Sequence, residues 1–261
     1  MRVMWWLALA APLLLVAAQA GAETIAAARY EAPVARYGHY ALGPPHEYAR
    51  VTATTDGGRT IALELPENEV FEDLAPRLVR LAPGGAAELL VIVSRRDAGS
   101  RLALVGLRGG VLAIGAQSAA IGTANRWLNP VGVADLDGDG RAEIAAVITP
   151  HIGGTLKVYR RRGRDLVEVA ALAGFSNHVY GTTELALSSP VAVAGGMRLL
   201  VPDASRLALR MVALQKGRLV ETGRCALGSP VTGPVKVISP REVSVGLASG
   251  PRVIAPGDCR R

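Results

Sequence analysis

The stretch Asp135-Leu136-Asp137-Gly138-Asp139-Gly140-Arg141-Ala142-Glu143 says more about the fold of this chain than any other segment. It places carboxylates at positions 1, 3, 5 and 9 of one short loop. Like charges this close repel one another unless a cation neutralises them. Because a flexible shell of many oxygen ligands suits calcium better than magnesium, the loop predicts a Ca²⁺ site.

Short apolar runs flank the loop at residues 131–134 and 144–148. Runs of this length predict buried strands, whereas an EF-hand would have helices here and a glutamate at loop position 12, where Ala146 stands. The loop is therefore predicted to be a turn between strands, with Gly138 and Gly140 at positive φ. An Asp-Gly-rich hairpin without a metal is the alternative.

Residues 131–147, VGVADLDGDGRAEIAAV, resemble the FG-GAP or VCBS repeat of extracellular β-propellers, a group that includes integrin-type heads. That family places a D-x-D-x-D-G-x-x-[DE] loop between two strands. The resemblance implies that the side chains of Asp135, Asp137, Asp139 and Glu143 and the backbone carbonyl of Arg141 bind Ca²⁺. Calcium loops of this family are mostly structural, so the resemblance does not carry over an integrin-like ligand-binding role.

The whole chain reads as an all-β protein. Many short apolar or alternating runs are separated by Gly and Pro. Pro76, Pro130, Pro190 and Pro230 each precede a similar series of short strands and lie 40 to 60 residues apart, which predicts a β-propeller of roughly five degenerate blades. A pair of β-sandwiches is the alternative. Residues 23–261 are assigned to this single domain.

Two finer predictions concern connections. The last repeat has at most three strands, so residues 34–40 are expected to complete it as a further strand. Residues 68–75 contain several acidic side chains and are expected to form one helical turn on a connecting loop.

Residues 1–22 are predicted to be a signal peptide, because Arg2 precedes an uncharged apolar stretch and small-x-small cleavage sequences follow it. The mature protein is expected to be periplasmic or secreted and not an integral membrane protein. Cys225 and Cys259 are the two cysteines of the chain and are predicted to form a disulfide; two free thiols are the alternative.

The formal net charge of +7 makes acidic surfaces possible partners. The densest basic run, residues 160–164, is interpreted as a solvated hairpin tip. It is too short and too poor in aromatic residues to indicate nucleic-acid binding, and no nucleic-acid partner is expected.

A second candidate site contains the polar and aromatic residues that loops between blades would bring to one face. It consists of Arg126, Trp127, His151, Asn177, His178 and Tyr180. An exposed Trp beside an Arg is a common binding hot spot. The alternative is that Trp127 packs between blades and the histidines make ordinary loop hydrogen bonds.

The chain contains no nucleophile elbow, no H-E-x-x-H and no phosphate-binding loop. The expected function is therefore an exported, calcium-stabilised module that binds or scaffolds a protein or glycan of the cell envelope. The alternative is an exported hydrolase or lyase acting on carbohydrate or lipid headgroups, with His151, His178 and Arg126 at its site.

Overall fold

The computed structural model describes residues 23–239 and 241–259, so the predicted signal peptide lies outside the described residues. The described part is all-β, as the sequence predicts, apart from one short 3₁₀ turn at Pro256–Asp258. The strands form three hydrogen-bonded sheets of 12, four and three strands. Antiparallel pairing of neighbouring strands divides them into five groups, numbered 1 to 5 in chain order, and short links join the first three groups into the 12-stranded sheet.

Groups 1 and 2 come from the first half of the chain. Group 1 contains β1 (Ile25–Pro33), β2 (Tyr48–Thr55) and β3 (Thr60–Glu64), and β4 (Glu69–Phe71) leads from it to group 2. Group 2 contains β5 (Arg77–Val79), β6 (Glu88–Arg95), β7 (Gly99–Arg108) and β8 (Val111–Gln117).

The remaining groups follow the same up-and-down order. Group 3 contains β9 (Leu128–Ala134), β10 (Glu143–Ile148), β11 (Gly154–Arg162) and β12 (Asp165–Phe175). Group 4 contains β13 (Ser189–Val193), β14 (Gly196–Pro202), β15 (Ala208–Gln215) and β16 (Arg218–Ala226). Group 5 contains β17 (Val231–Ser239), β18 (Glu242–Leu247) and β19 (Gly250–Ile254).

Four hydrophobic cores fill the spaces between successive groups in the described part of the chain. Strand β6 contributes to two of them. Leu90 and Ile92 belong to the core shared with group 3, whereas Leu89, Val91 and Val93 belong to the core shared with group 1. Alternate side chains of a strand point to opposite faces, so both faces of group 2 are covered.

Strand β10 of group 3 repeats this arrangement. Ile144 and Ala146 face group 2, whereas Ala145 and Val147 face group 4, and every residue of the strand is buried. Sheets covered on both faces read as continuous apolar runs instead of alternating ones. A pair of β-sandwiches, with one buried face per sheet, would not produce this stack.

The first strands of the groups gather along one edge of the stack and the last strands along the other. Strand β13 contacts both β9 and β17, and the last strands β3, β8, β12 and β16 contact one another in succession. Pro76, Pro130, Pro190 and Pro230 lie at or just before the first strands of groups 2 to 5, as the repeat predicts. No core joins group 5 to group 1 among the described residues, and the number of blades stays a prediction.

The expected strand at residues 34–40 is wrong, because β1 pairs with β2 inside group 1 and residues 34–40 form a loop. The buried carboxylate of Glu47 explains the loop. It accepts backbone N–H groups from Tyr37, Gly38 and His39 at 3.3, 3.0 and 3.0 Å. These donors are therefore unavailable to a neighbouring strand.

The expected helical turn at residues 68–75 is also wrong. Strand β4 occupies Glu69–Phe71, and the acidic side chains that follow it are buried. Asp73 forms an ion pair with Arg77, and Glu72 accepts a hydrogen bond from Ser94 at 2.6 Å. Tertiary partners therefore take the place of solvent for these carboxylates.

A disulfide joins Cys225 in β16 to Cys259, which fastens the C-terminal segment to group 4 as predicted. A disulfide fits the oxidising compartment that export provides. Among the described residues, no helix has the length and apolar character needed to cross a bilayer.

Candidate metal centre and histidine cleft

The acidic loop connects β9 to β10, as predicted. Asp135 follows the last residue of β9, and Glu143 is the first residue of β10. Asp135, Asp137 and Glu143 each offer a carboxylate oxygen, and the three oxygens lie within 4.8 Å of one another. This group could therefore hold a metal ion. Asp139 and Arg141, which the sequence adds to the set, lie outside this group of three.

Backbone hydrogen bonds give the loop its curl. The two carboxylate oxygens of Asp135 accept N–H groups from Gly138 at 2.8 Å and Gly140 at 2.9 Å. Both glycines have positive φ, at 81° and 85°, as the sequence predicts. A side chain at either position would make this conformation unfavourable.

Arg160 of β11 inserts its guanidinium among the loop carboxylates. It donates to Asp137 Oδ2 at 2.6 Å and, through Nε, to Glu143 Oε1 at 3.0 Å. Asp139 Oδ2 lies 3.6 Å from Nη1 of the same guanidinium. Hydrogen bonds to Asp137 and Glu143 raise the pKa of Arg160 above its usual range. An internal cation therefore supplies part of the neutralisation that the sequence assigns to calcium.

The pairing of Arg160 corrects the interpretation of residues 160–164 as a solvated tip. Gly163 and Arg164 do form the turn between β11 and β12, but Arg160 and Arg161 lie on β11 and form ion pairs. Arg161 binds Glu88 of group 2.

The second site is a cleft of 160 Å³ that four connections form at one end of the stack. His39 comes from the loop between β1 and β2, and Asn125, Arg126 and Trp127 come from the segment before β9. The turn after β10 supplies Thr149, His151 and Ile152, and the segment after β12 supplies Tyr180. Most of the predicted cluster is therefore in one place.

A chain of hydrogen bonds fixes the tautomers of two histidines. His178 Nε2 lies 2.9 Å from the carbonyl oxygen of Thr182, which can only accept, so Nε2 carries the proton. In neutral His178 the other ring nitrogen, Nδ1, is then an acceptor for His151 Nε2, 2.7 Å away. His151 Nδ1 is consequently left as a free acceptor that borders the cleft.

A second imidazole is oriented in the same way. His39 Nδ1 lies 2.8 Å from the buried carboxylate of Glu72, which fixes the proton on Nδ1. Neither His39 Nε2 nor His151 Nδ1 has a hydrogen-bond partner among the described residues. Neither atom is fully buried. Both nitrogens therefore keep some exposure to solvent, and both residues line the cleft.

Trp127 is not the exposed side chain that a hot spot requires. It is 1% exposed, its Nε1 donates to the carbonyl oxygen of Glu72 at 3.0 Å, and its ring is parallel to that of His151 with centroids 5.9 Å apart. The packing alternative therefore describes Trp127, which forms the floor below the histidines.

Asn177 lies apart from the cleft. It is completely buried, and its Nδ2 donates to the carbonyl oxygen of Asn129 and to Ser188 Oγ. In the reciprocal hydrogen bond, Asn129 Nδ2 donates to the carbonyl oxygen of Asn177 at 3.0 Å. This pair connects β9 to the segment before β13, which is a structural role.

The rim of the cleft contains unusual backbone conformations. Asn125 and Thr149 both have φ of 52°. This region is uncommon for any residue with a side chain and is an outlier for a β-branched one such as Thr149. The amide of Thr149 donates to the carbonyl oxygen of Trp127 at 2.8 Å, which holds the strained turn in place. Such strain is concentrated at functional sites in proteins.

Burial lowers the pKa of both coupled histidines. The pKa of His151 falls from 6.5 to about 3, mainly because of burial and then because of the neighbouring His178. The pKa of His178 falls to about 4, again mainly because of burial. Both side chains are neutral at physiological pH, in agreement with the tautomers above.

The two predicted sites did not include His39, Glu72, Asn125, Thr149 and Arg160. His39 and Glu72 lie 33 positions apart, so their proximity has no local signal. Glu72 is one of several acidic residues in this segment, and no local feature of the sequence sets it apart from the others.

Comparisons with known proteins give little further information. No protein-family model and no curated protein sequence matches the chain, so the likeness to FG-GAP repeats rests on the loop pattern alone. A crystal structure of a "putative 6-phosphogluconolactonase" from Bacteroides fragilis aligns with a TM-score of 0.43 and 18% identity. The alignment covers 79% of this chain, which spans 60% of the length of that protein.

The histidine pair predicts a pH-dependent stability. In the unfolded chain the two histidines are protonated near pH 6.5, whereas in the folded protein they are protonated only near pH 3 to 4. Their contribution to the unfolding free energy is therefore fully present above pH 6.5 and is lost as the pH falls. Between pH 7 and 5 we expect each of the two histidines to lower the unfolding free energy by about 2 kcal/mol, which makes about 4 kcal/mol for the pair. Urea unfolding at the two pH values measures it.

The matched variant for this measurement carries His151→Gln and His178→Gln, which retain the two Nε2 hydrogen-bond donors but do not titrate. It should lose less stability on acidification than the parent. His46→Gln, outside the cleft, should behave as the parent does. Equal acid losses in the parent and the double variant would contradict the assignment.

Proposed function

We propose that this protein is an exported, calcium-stabilised β-propeller that binds or scaffolds a protein or glycan of the cell envelope. The observation that carries the proposal is the cleft itself, where connections from different groups place oriented polar groups on a rigid stack of sheets. Loops held by a rigid scaffold are the usual location of recognition sites.

The propeller part of the proposal rests on the stack. Five groups share four cores, with first strands along one edge and last strands along the other. This is the packing expected of neighbouring blades, which cannot bury both faces alone. Roughly five blades is the number that the groups favour.

The calcium part rests on the chemistry of the loop. The loop carries four carboxylates, and the guanidinium of Arg160 pairs with three of them, so negative charge remains in excess in the described part of the loop. Asp135, Asp137 and Glu143 would hold the ion, and hard oxygen ligands of this kind suit Ca²⁺. Arg160 would have to move away from Glu143 and Asp137, so the arginine and the metal compete for the same carboxylates.

A calcium test can use this competition. Arg160→Gln leaves the buried carboxylate of Glu143 without its ionic partner, which should lower the unfolding free energy in chelator by about 2 kcal/mol. Saturating Ca²⁺ should restore the loss, and the parent should gain less from Ca²⁺ than the variant. Thermal melting with and without chelator measures both effects.

Arg162→Gln is the control, because Arg162 is exposed and forms no ion pair among the described residues. It should melt as the parent does under both conditions. If Arg160→Gln melts at the same temperature in Ca²⁺ and in chelator, the loop does not bind calcium and Arg160 alone neutralises it.

Crosslinking followed by affinity capture from an envelope fraction tests the binding role. Tyr180 is 56% exposed at the rim of the cleft, so Tyr180→Ala should reduce the yield of the captured partner several-fold. Val111→Ala removes a similarly exposed apolar side chain, 58% exposed, from the start of β8 and should leave the yield unchanged. Equal capture by both variants would place the binding surface elsewhere.

A hydrolase or lyase acting on carbohydrate or lipid headgroups is the second candidate. The observation that favours it is the pair of imidazoles at the cleft, of which His39 has a carboxylate behind it. A histidine oriented by an acidic residue is a common arrangement for general-base catalysis, and His39 Nε2 would accept the proton.

Turnover by the variant His39→Asn tests the second candidate. Asparagine can keep the hydrogen bond to Glu72 but has no group equivalent to Nε2, so loss of a general base should lower turnover of a chromogenic glycoside or phosphodiester by about 10²- to 10⁴-fold. His46→Gln is again the control. Turnover that persists in His39→Asn would remove the enzyme candidate.

A further inference from the structure

The cleft offers two oriented hydrogen-bond acceptors, and this chemistry narrows the choice of ligand. Resting on the proposed binding function, we infer that the cleft binds the terminal unit of an uncharged glycan, whose hydroxyl groups donate to His39 Nε2 and His151 Nδ1. The inference selects the glycan from the two partner classes and adds His39 and Glu72 to the site.

Each acceptor is fixed by a different buried partner. Glu72 holds the Nδ1 proton of His39, and the chain from His178 to Thr182 holds the Nε2 proton of His151. In these tautomers each ring keeps its second nitrogen as the acceptor, and neither ring can rotate without breaking its hydrogen bond. The ligand must therefore bring donors to both positions.

Charge disfavours a cationic ligand, whereas an anion could pair with Arg126 but brings no hydrogen-bond donor to the two ring nitrogens. Arg126 lines the cleft, so an ammonium group would be repelled. An anion would meet two nitrogen lone pairs where it needs donors, with the Glu72 carboxylate behind His39. A hydroxyl group satisfies the acceptors at no charge cost.

The walls suit the carbon face of a sugar ring. Tyr180 and Ile152 border the cleft and are 56% and 63% exposed, although both are large apolar side chains. The Tyr180 hydroxyl is already committed, because it donates to the carbonyl oxygen of His39 at 2.7 Å, so its ring is the available surface. Apolar surface beside a few placed polar groups is typical of small-ligand sites.

The size of the cleft limits how much of a glycan can enter. Its volume of 160 Å³ is smaller than the roughly 300 Å³ at which pockets for drug-sized molecules begin. One terminal sugar unit is therefore the part of the chain that enters, and the rest of the glycan lies outside.

Trp127 provides a local reporter for the test. The chain has three tryptophans, and Trp5→Phe with Trp6→Phe makes Trp127 the only one, stacked against His151 below the cleft. The full chain with these two substitutions is titrated at pH 8 with methyl glycosides of neutral hexoses and N-acetylhexosamines. Glucuronic acid and glucosamine are the charged comparators, and isothermal calorimetry checks each fluorescence change.

Two variants in this background remove one acceptor each and keep its structural hydrogen bond. His39→Asn can still donate to Glu72, and His151→Gln can still donate to His178. Each should weaken saccharide binding about five-fold, the effect of one lost hydrogen bond. His46→Gln, whose ring contacts Tyr48 outside the cleft, should bind as the parent does.

We expect a neutral saccharide to bind saturably at millimolar concentration, and we expect both variants to weaken this binding. The inference is overturned if no neutral saccharide binds, if a charged sugar binds more tightly, or if both variants bind as the parent does. If an envelope protein is captured through Tyr180 but no saccharide binds, the glycan inference is refuted and the proposed binding function is not. If neither saccharide binding nor capture of an envelope protein is observed, the glycan inference and the proposed binding function are both refuted.

Discussion

The middle sheets of this protein must bury both of their faces, and the rest of the structure follows from that constraint. Strands β6 and β10 meet it with almost uninterrupted apolar sequence, so that alternate residues enter two different cores. Once the faces are covered, polar connections can lie only at the ends and edges of the stack. Loops that are far apart in sequence therefore meet at one end, and the histidine cleft is the result.

Buried carboxylates hold these loops in position. Glu47 accepts backbone amides of residues 37–39, Glu72 accepts the imidazole of His39, and Glu143 accepts the amide of Leu136 together with the guanidinium of Arg160. A carboxylate inside a protein is tolerated only when donors replace its water shell. The same groups thus stabilise the fold and orient the side chains that border the two candidate sites.

The acidic loop illustrates how a sequence pattern can be right about shape and incomplete about charge. The spacing of acids and glycines predicts a tight turn between strands, and the positive φ angles of Gly138 and Gly140 confirm the shape. The cation beside the carboxylates comes from Arg160, which is 17 positions beyond Glu143 on the partner strand of β10. The pattern alone carries no information on that neighbour.

The pattern of residues along the chain is enough to predict the all-β class, the positions of most strands, the curl of the acidic loop and the cysteine pair. These features depend on hydrophobic periodicity, on backbone freedom at glycine, or on the scarcity of cysteine, all of which are properties of short segments or of composition. Tertiary packing, in contrast, buries Trp127, brings His39 to His151 at the cleft and places Arg160 among the carboxylates. These contacts depend on which sheets lie side by side, because a charge or an imidazole finds its partner through space and not through its neighbours along the chain.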